Sequence, residues 1–190
     1  MAERSKSTRR AILDATAELL FELGAERLTI RRVEERSGYR APTIYHYFQD
    51  KNGLIDTLLE EGCAHLYSQL CRVPKRKDPV EYLRALARAY VEFGLSHRTH
   101  YALISAPRRG PDLLPSAEAA RVLVFRAVVA ASRACGTSRD CEAMFQALWA
   151  MLHGVVAVYV SRPDHPWRPE LVDVALDAIE RGILSGEAAR

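Results

Sequence analysis

A chain of 190 residues, 48% apolar and 27% charged, can bury one sizeable core, or one core and a small module. That balance excludes a disordered chain. The net charge of +3 is too small to assign a nucleic-acid partner by itself.

Arg4, Lys6, Arg9 and Arg10 stand against Glu3 alone at the N-terminus, an excess as large as that of the whole chain. Such an arm is either a solvated terminus or a nucleic-acid contact. Residues 6–23 then place Ile12, Thr16, Leu19, Leu20 and Leu23 on one helical face, and Gly24 suits the helix end. Thr29 caps a second helix over Ile30 to Arg36, which Ser37 and Gly38 stop. Pro42 fits the first turn of a third helix, where its missing N–H leaves no bond unmade. Asp50 caps a fourth over Lys51 to Leu70. Pro74 and the basic run Lys75, Arg76, Lys77 break the chain. Asp78-Pro79 opens a fifth helix to Leu95. A short helix is expected over Arg98 to Ser105. A Pro- and Gly-rich loop, 107–115, separates it from a helix over Ser116 to Ala134. Gly136-Thr137-Ser138 restarts a long apolar helix that SRPDHPW (161–167) ends. Pro169 to Leu184 is the last. With no strand pattern, repeat or low-complexity segment, the fold class is all-α, with about nine helices.

Residues 143–160 contain no Asp, Glu, Lys or Arg, which is the short end of a membrane span. Gln146 and His153 inside the segment are costly in lipid. It therefore reads as a helix buried nearly all round, in a core or a subunit interface, and no membrane partner is expected. Cys63, Cys71, Cys135 and Cys141 form no C-x-x-C and read as reduced thiols in a cytoplasmic protein. The charged N-terminus lacks the apolar run of a signal peptide.

The most informative stretch is Leu28 to Leu59. Two short helices joined by a Gly-containing turn are the sequence sign of a helix-turn-helix. Val33, Ile44 and Phe48 fit its small core. Arg31 can reach guanine or phosphate from the positioning helix. Pro42 and Thr43 begin the reading helix, where side chains meet base edges and thymine methyls. Tyr45, His46 and Tyr47 offer donors to phosphate oxygens. Lys51 sits at a helix N-terminus that also attracts phosphate. Arg40 and Ala41, at the mouth of the reading helix, complete the candidate set. Taken singly, either tyrosine is as well explained as a half-buried aromatic.

The run Gly38, APTIYHYF (41–48) and Lys51 closely resembles the DNA-binding domain of the tetracycline-repressor (TetR) family, over roughly residues 8–60. The resemblance implies an all-helical homodimer that binds a palindromic double-stranded DNA operator. It implies a repressor released when a small ligand enters the C-terminal domain. It places Arg31, Pro42, Thr43, Tyr45, Tyr47 and Lys51 on DNA-contact positions. It divides the chain into a helix-turn-helix domain, 1–50, and a helical effector-binding and dimerisation domain, 51–190. The chain departs from the family at Tyr39-Arg40, where a small apolar residue and a Ser-like cap are usual. Arg40 cannot cap as serine does, and it is free to add a phosphate or guanine contact.

The second half resembles one TetR subgroup through HYALISAP (100–107) and the W-x-x-x-H-G run Trp149, His153, Gly154. Trp149 and His153 share a helix face. Gly154 inside a helix costs about 1 kcal/mol relative to Ala, which calls for a packing reason. Ala147, Ala150, Gly154 and Ala157 form a small-residue face. By the resemblance, the last two helices build the dimer interface; an intramolecular core explains the same pattern. Tyr90, Phe93, Tyr101, Phe145, Trp149 and His153 are the effector-pocket candidates. No charged cluster accompanies them, so the expected ligand is neutral or apolar.

Other classes are weaker. An enzyme would need a signature such as G-x-S-x-G, a P-loop or H-E-x-x-H, and none occurs. Glu34-Glu35 and Glu60-Glu61 read as solvated faces. A thiol- or metal-sensing regulator is the main alternative, but Cys63 and His65 lie about 200° apart on a helix and no zinc spacing appears. No cofactor or metal is expected. A DNA binder with a filled C-terminal core and no ligand is a further possibility.

Overall fold

A computed structural model of the chain describes residues 2–105, 114–168 and 170–184. Among these, the secondary structure is nine helices and no strand. They are α1 (Ala2–Leu23), α2 (Ile30–Ser37), α3 (Ala41–Phe48), α4 (Lys51–Cys71), α5 (Pro79–Ser96), α6 (Arg98–Ser105), α7 (Pro115–Cys135), α8 (Cys141–Ser161) and α9 (Leu171–Leu184). The fold is all-α, as the periodicity predicts. Most of the loop 107–115, Pro169 and the Arg4 side chain lie outside the described residues.

Local chemistry sets the helix ends. The Thr29 hydroxyl accepts from the Arg32 N–H, and Gly38 ends α2 at φ +76°. That left-handed conformation is open to glycine at little steric cost. Asp78 caps α5 through the Val80 N–H. Asp140 caps α8 through the Glu142 and Ala143 N–H groups. The sequence reading placed that restart at 136–138, because Thr137 and Ser138 are also capping residues.

The chain packs as two compact units, Met1–Cys63 with Thr99–Leu114, and Ala64–Arg98 with Pro115–Arg190. In the first, Ile12, Leu20, Leu28, Val33, Ile44 and Phe48 form one buried cluster. Leu54, Leu58 and Leu59 of α4 and Leu103 of α6 join it, so its core extends past residue 50. Buried Thr16 is satisfied by donating to the Ile12 carbonyl at 2.7 Å.

In the second unit, α5 packs against α7, α8 and α9, and α8 also packs against α7 and α9. The inner stripe of α8 is Met144, Leu148, Leu152 and Val156, spaced by helical turns. Its outer face is exposed among the described residues. Ala143, Ala147, Ala150, Met151, Gly154 and Val158 are exposed. The reading of this helix as buried nearly all round is thus corrected: one stripe is buried and the opposite face is bare. A Cβ added at Gly154 meets no atom of the described residues within 4 Å, so they supply no packing reason for that glycine. Between α5 and α9, Arg84 pairs with Asp177 at 2.5 Å and Glu180 at 3.0 Å, and Arg88 pairs with Asp173.

Gly53 is a different case. A Cβ there would lie 2.0 Å from the Phe48 carbonyl oxygen. The first turn of α4 passes that closely over the end of α3, and the Gly53 N–H donates to Asp50 Oδ1 at 2.8 Å. Gly53→Ala should destabilise the chain by about 2 kcal/mol or more, because backbone must move to admit the methyl group. Urea unfolding followed by far-UV circular dichroism measures it; an unchanged midpoint would mean the α3–α4 joint is looser than described.

Candidate nucleic-acid interface

Two short helices meeting at Gly38 build the candidate surface. α2 buries Val33 and is pinned from below by Arg36, which donates to Glu22 at 2.8 Å and Glu18 at 3.1 Å on α1. Hydrogen bonding to Glu22, then to Glu18, raises the Arg36 pKa, and the same bond lowers that of Glu22. α3 buries Ile44 and Phe48. Its opposite face therefore turns outward in a helical pattern.

Arg40, Pro42, Tyr45 and His46 are exposed, with Tyr45 at 47%. Ala41, Thr43 and Lys51 are half-buried. Tyr47 is also half-buried, packed on the core cluster, with His46 edge-on at 5.2 Å. Arg31 is exposed and meets only Glu35 at 3.0 Å, one turn along its own helix. Such a pair is weak and readily exchanged for another anion.

The start of α3 corrects the sequence reading of Glu34 as a solvated residue. Its carboxylate accepts the Ala41 N–H at 2.6 Å, across the turn. Arg40 occupies the cap position in an extended conformation and makes no side-chain capping bond. Two residues of the basic arm are also committed. Arg10 pairs with Asp14 and Glu61 at 2.5 and 2.8 Å, and Arg9 lies 5.3 Å over the Phe48 ring and 3.6 Å from Glu61. These contacts tie α1 to α3 and α4 inside one unit. Glu61 is accordingly an ion-pair partner, not a solvated face.

The effector candidates are distributed over both units. Tyr101 is buried in the first unit. In the second, Phe93 is buried and stacks on His97 at 5.0 Å, with His65 edge-on at 5.5 Å and His65 and His97 4.4 Å apart. Tyr90 is half-buried on the same helix. Phe145 meets Phe125 edge-on at 6.1 Å. Trp149 stacks on His153 at 5.7 Å and is 54% exposed. Sequence reasoning weighed His65 only as a metal partner of Cys63 and missed His97 and Gln69, which lies 3.3 Å from the His65 ring. The four-residue steps His65 to Gln69 and Phe93 to His97 were the signal that could have found them. A cleft among α5, α7, α8 and α9, lined by Leu83, Ala87, Val128, Leu148 and Leu176, encloses about 20 Å³. That is room for roughly one water. Among the described residues no group of three metal-ligating side chains occurs, and none of the four cysteines is in a disulfide.

The family model for bacterial regulatory proteins of the tetR family matches residues 12–58, which span α2, α3 and their supports. A second, for the tetracyclin repressor-like C-terminal domain, matches residues 83–179. The chain belongs to the TetR family. It is 29% identical over 109 residues to the tetracycline repressor protein class A from transposon 1721 of Escherichia coli, covering 57% of this chain and 50% of that protein. It is 40% identical over 58 residues to the Escherichia coli HTH-type transcriptional regulator BetI, covering 30% of each. The chain thus spans half the length, or less, of these curated relatives. Among solved structures, a protein of unknown function from Rhodococcus sp. RHA1 superposes with TM-score 0.73 at 26% identity, covering 94% of this chain and 96% of that one. A TetR family transcription regulator from Marinobacter aquaeolei VT8 has the same fold, with TM-score 0.71 at 15% identity over 97% and 100% of the two chains. The chain carries the helix-turn-helix DNA-binding domain of these bacterial regulatory proteins.

Proposed function

We propose that the protein is a ligand-responsive repressor that binds a palindromic operator as a homodimer and releases it on binding a small molecule. The observation that carries the DNA half is α3 itself. It buries Ile44 and Phe48 and turns Arg40, Pro42, Tyr45 and His46 to solvent. Thr43 and Pro42 meet base edges; Tyr45, His46 and Tyr47 bind phosphate; Arg31 and Lys51 flank them. Ala41 lets the helix approach closely. The protein works in the cytoplasm, where its operator is.

The bare face of α8 supports the homodimer. Ala147, Ala150 and Gly154 allow close helix approach, and exposed Val174 of α9 extends the apolar surface. A second copy would cover it by two-fold symmetry. Trp149, His153 and Gly154 support a reading of the chain as one of the W-x-x-x-H-G subgroup, and the open surface at Gly154 fits an interfacial role for that motif.

The effector is neutral or apolar and is met within the C-terminal unit by residues such as Tyr90, Phe93, Phe145, Trp149 and His153. A drug-sized ligand needs about 300 Å³ or more, far beyond the described cleft. Binding inside that cleft would therefore select a more open C-terminal unit. α4 contributes Lys51–Cys63 to one unit and its remainder to the other, so a shift along it would alter the spacing of two reading helices. These must enter successive major grooves about 34–36 Å apart.

Three outcomes are expected. Lys51→Ala should weaken binding to all sequences and reduce the log–log salt slope by about 1, whereas Thr43→Ala should change base preference; fluorescence anisotropy across a salt series separates them. Ligand should weaken operator binding by the same factor by which operator weakens ligand binding; equal ligand affinity for free and DNA-bound protein would sink the mechanism. Gly154→Leu fits the single chain but should shift sedimentation from dimer to monomer, and an unchanged dimer would remove α8 from the interface.

A further inference from the structure

We infer that Glu34 is the positioning residue that fixes the start of the reading helix, and that it frees Arg40 to read a guanine at the base pair under that end. The inference rests on the proposed reading of DNA by α3. It adds a positioning residue outside the contact set and a specific base to the operator.

The argument is an account of donors. A helix begins with N–H groups that have no partner in the preceding turn. They are usually met by a Ser, Thr, Asp or Asn side chain at the cap. In α3, Thr43 N–H and Ile44 N–H both donate to the Arg40 carbonyl, at 2.9 and 3.2 Å. Pro42 has no N–H. The one remaining donor, Ala41 N–H, is taken by Glu34 at 2.6 Å. Nothing is left for the side chain at position 40 to satisfy. A residue with donors only, such as arginine, is tolerated there for that reason.

Charge points the same way. The Glu34 carboxylate stands at the positive end of α3, a favourable place for an anion. It occupies the amide that a DNA phosphate would otherwise take. The end of α3 is therefore left to meet DNA through side chains. Arg40 is exposed, and among the described residues no carboxylate lies within ion-pair distance of it. Its planar fork matches the O6 and N7 acceptors of guanine. Glu34 itself, half-buried and seven residues from its partner, also couples α2 to α3, so the two helices move as one body.

The test uses the full chain, with two readouts. In the DNA-free protein, amide exchange at Ala41 should quicken about fivefold or more in Glu34→Ala. Glu34→Gln keeps an accepting oxygen and should stay within about twofold of wild type. Selection from random palindromic DNA should give wild-type protein a fixed guanine in each half-site. Arg40→Ala should lose about tenfold discrimination at that position alone. On the selected site Glu34→Ala should bind about fivefold more weakly, and Glu34→Gln as wild type. Unchanged Ala41 exchange in Glu34→Ala would overturn the positioning role. A uniform affinity loss in Arg40→Ala, without altered base preference, would make it a phosphate contact and overturn the guanine. If wild-type protein selects no site at all, the DNA reading fails, while the exchange measurement still decides the role of Glu34.

Discussion

An α-helix of eight residues cannot hold its own shape in water, because the cost of nucleation exceeds what so few hydrogen bonds return. The reading helix Ala41–Phe48 has that length, so every function assigned to it depends on how its ends and underside are held. Ile44 and Phe48 anchor the underside in the first unit's core. Glu34 holds the first amide. At the other end, Gln49 takes a left-handed φ of +63° and donates to the Tyr45 carbonyl. Asp50 then caps α4, and Gly53 lets its first turn pass over the Phe48 carbonyl. Loss of any one of these would leave the exposed side chains of α3 chemically present but badly aimed. A DNA surface needs its donors held to fractions of an ångström.

Much of this was legible in the sequence because it is local. Thr29, Gly38, Pro42, Asp50 and Asp78 act within a few residues of themselves, and their capping and turn chemistry follows from side-chain type. The inward stripe of Ile12, Leu19 and Leu20, and the buried Val33, Ile44 and Phe48, followed from helical spacing. Glu34 was not legible. Its bond reaches seven residues ahead, across a turn whose angle no propensity gives, and two adjacent glutamates in a polar helix look solvated. Arg9 and Arg10 were misleading for a similar reason: their partner Glu61 lies on another helix of the same unit. The helix start before α8 was ambiguous because Thr137, Ser138 and Asp140 all have capping oxygens, and only the geometry chooses Asp140.

Periodicity failed more instructively on α8. An uncharged run of this length predicts burial, and burial on all sides was the natural reading. The helix instead buries one stripe and leaves alanine, glycine and valine bare. Sequence pattern reports that a surface avoids charge; it does not report which chain covers it. The effector candidates illustrate the same limit. Aromatic residues at helical spacing fall in both units, with Tyr101 in the first and Phe93, Phe145 and Trp149 in the second, a division that spacing alone does not give.

These limits bear on regulation. The second unit's core is closed at one water's volume in the cleft among its helices, and α5 is tied to α9 by Arg84 and Arg88. A ligand that entered there would have to separate helices held by apolar contact, while these surface pairs add little resistance. Opening would therefore be decided by the burial of residues such as Leu148 and Leu176. The work of separating them would come from the ligand's own apolar surface. That favours a ligand that replaces lost side-chain contact with its own, which is why a neutral or apolar compound fits this closed core better than a charged one.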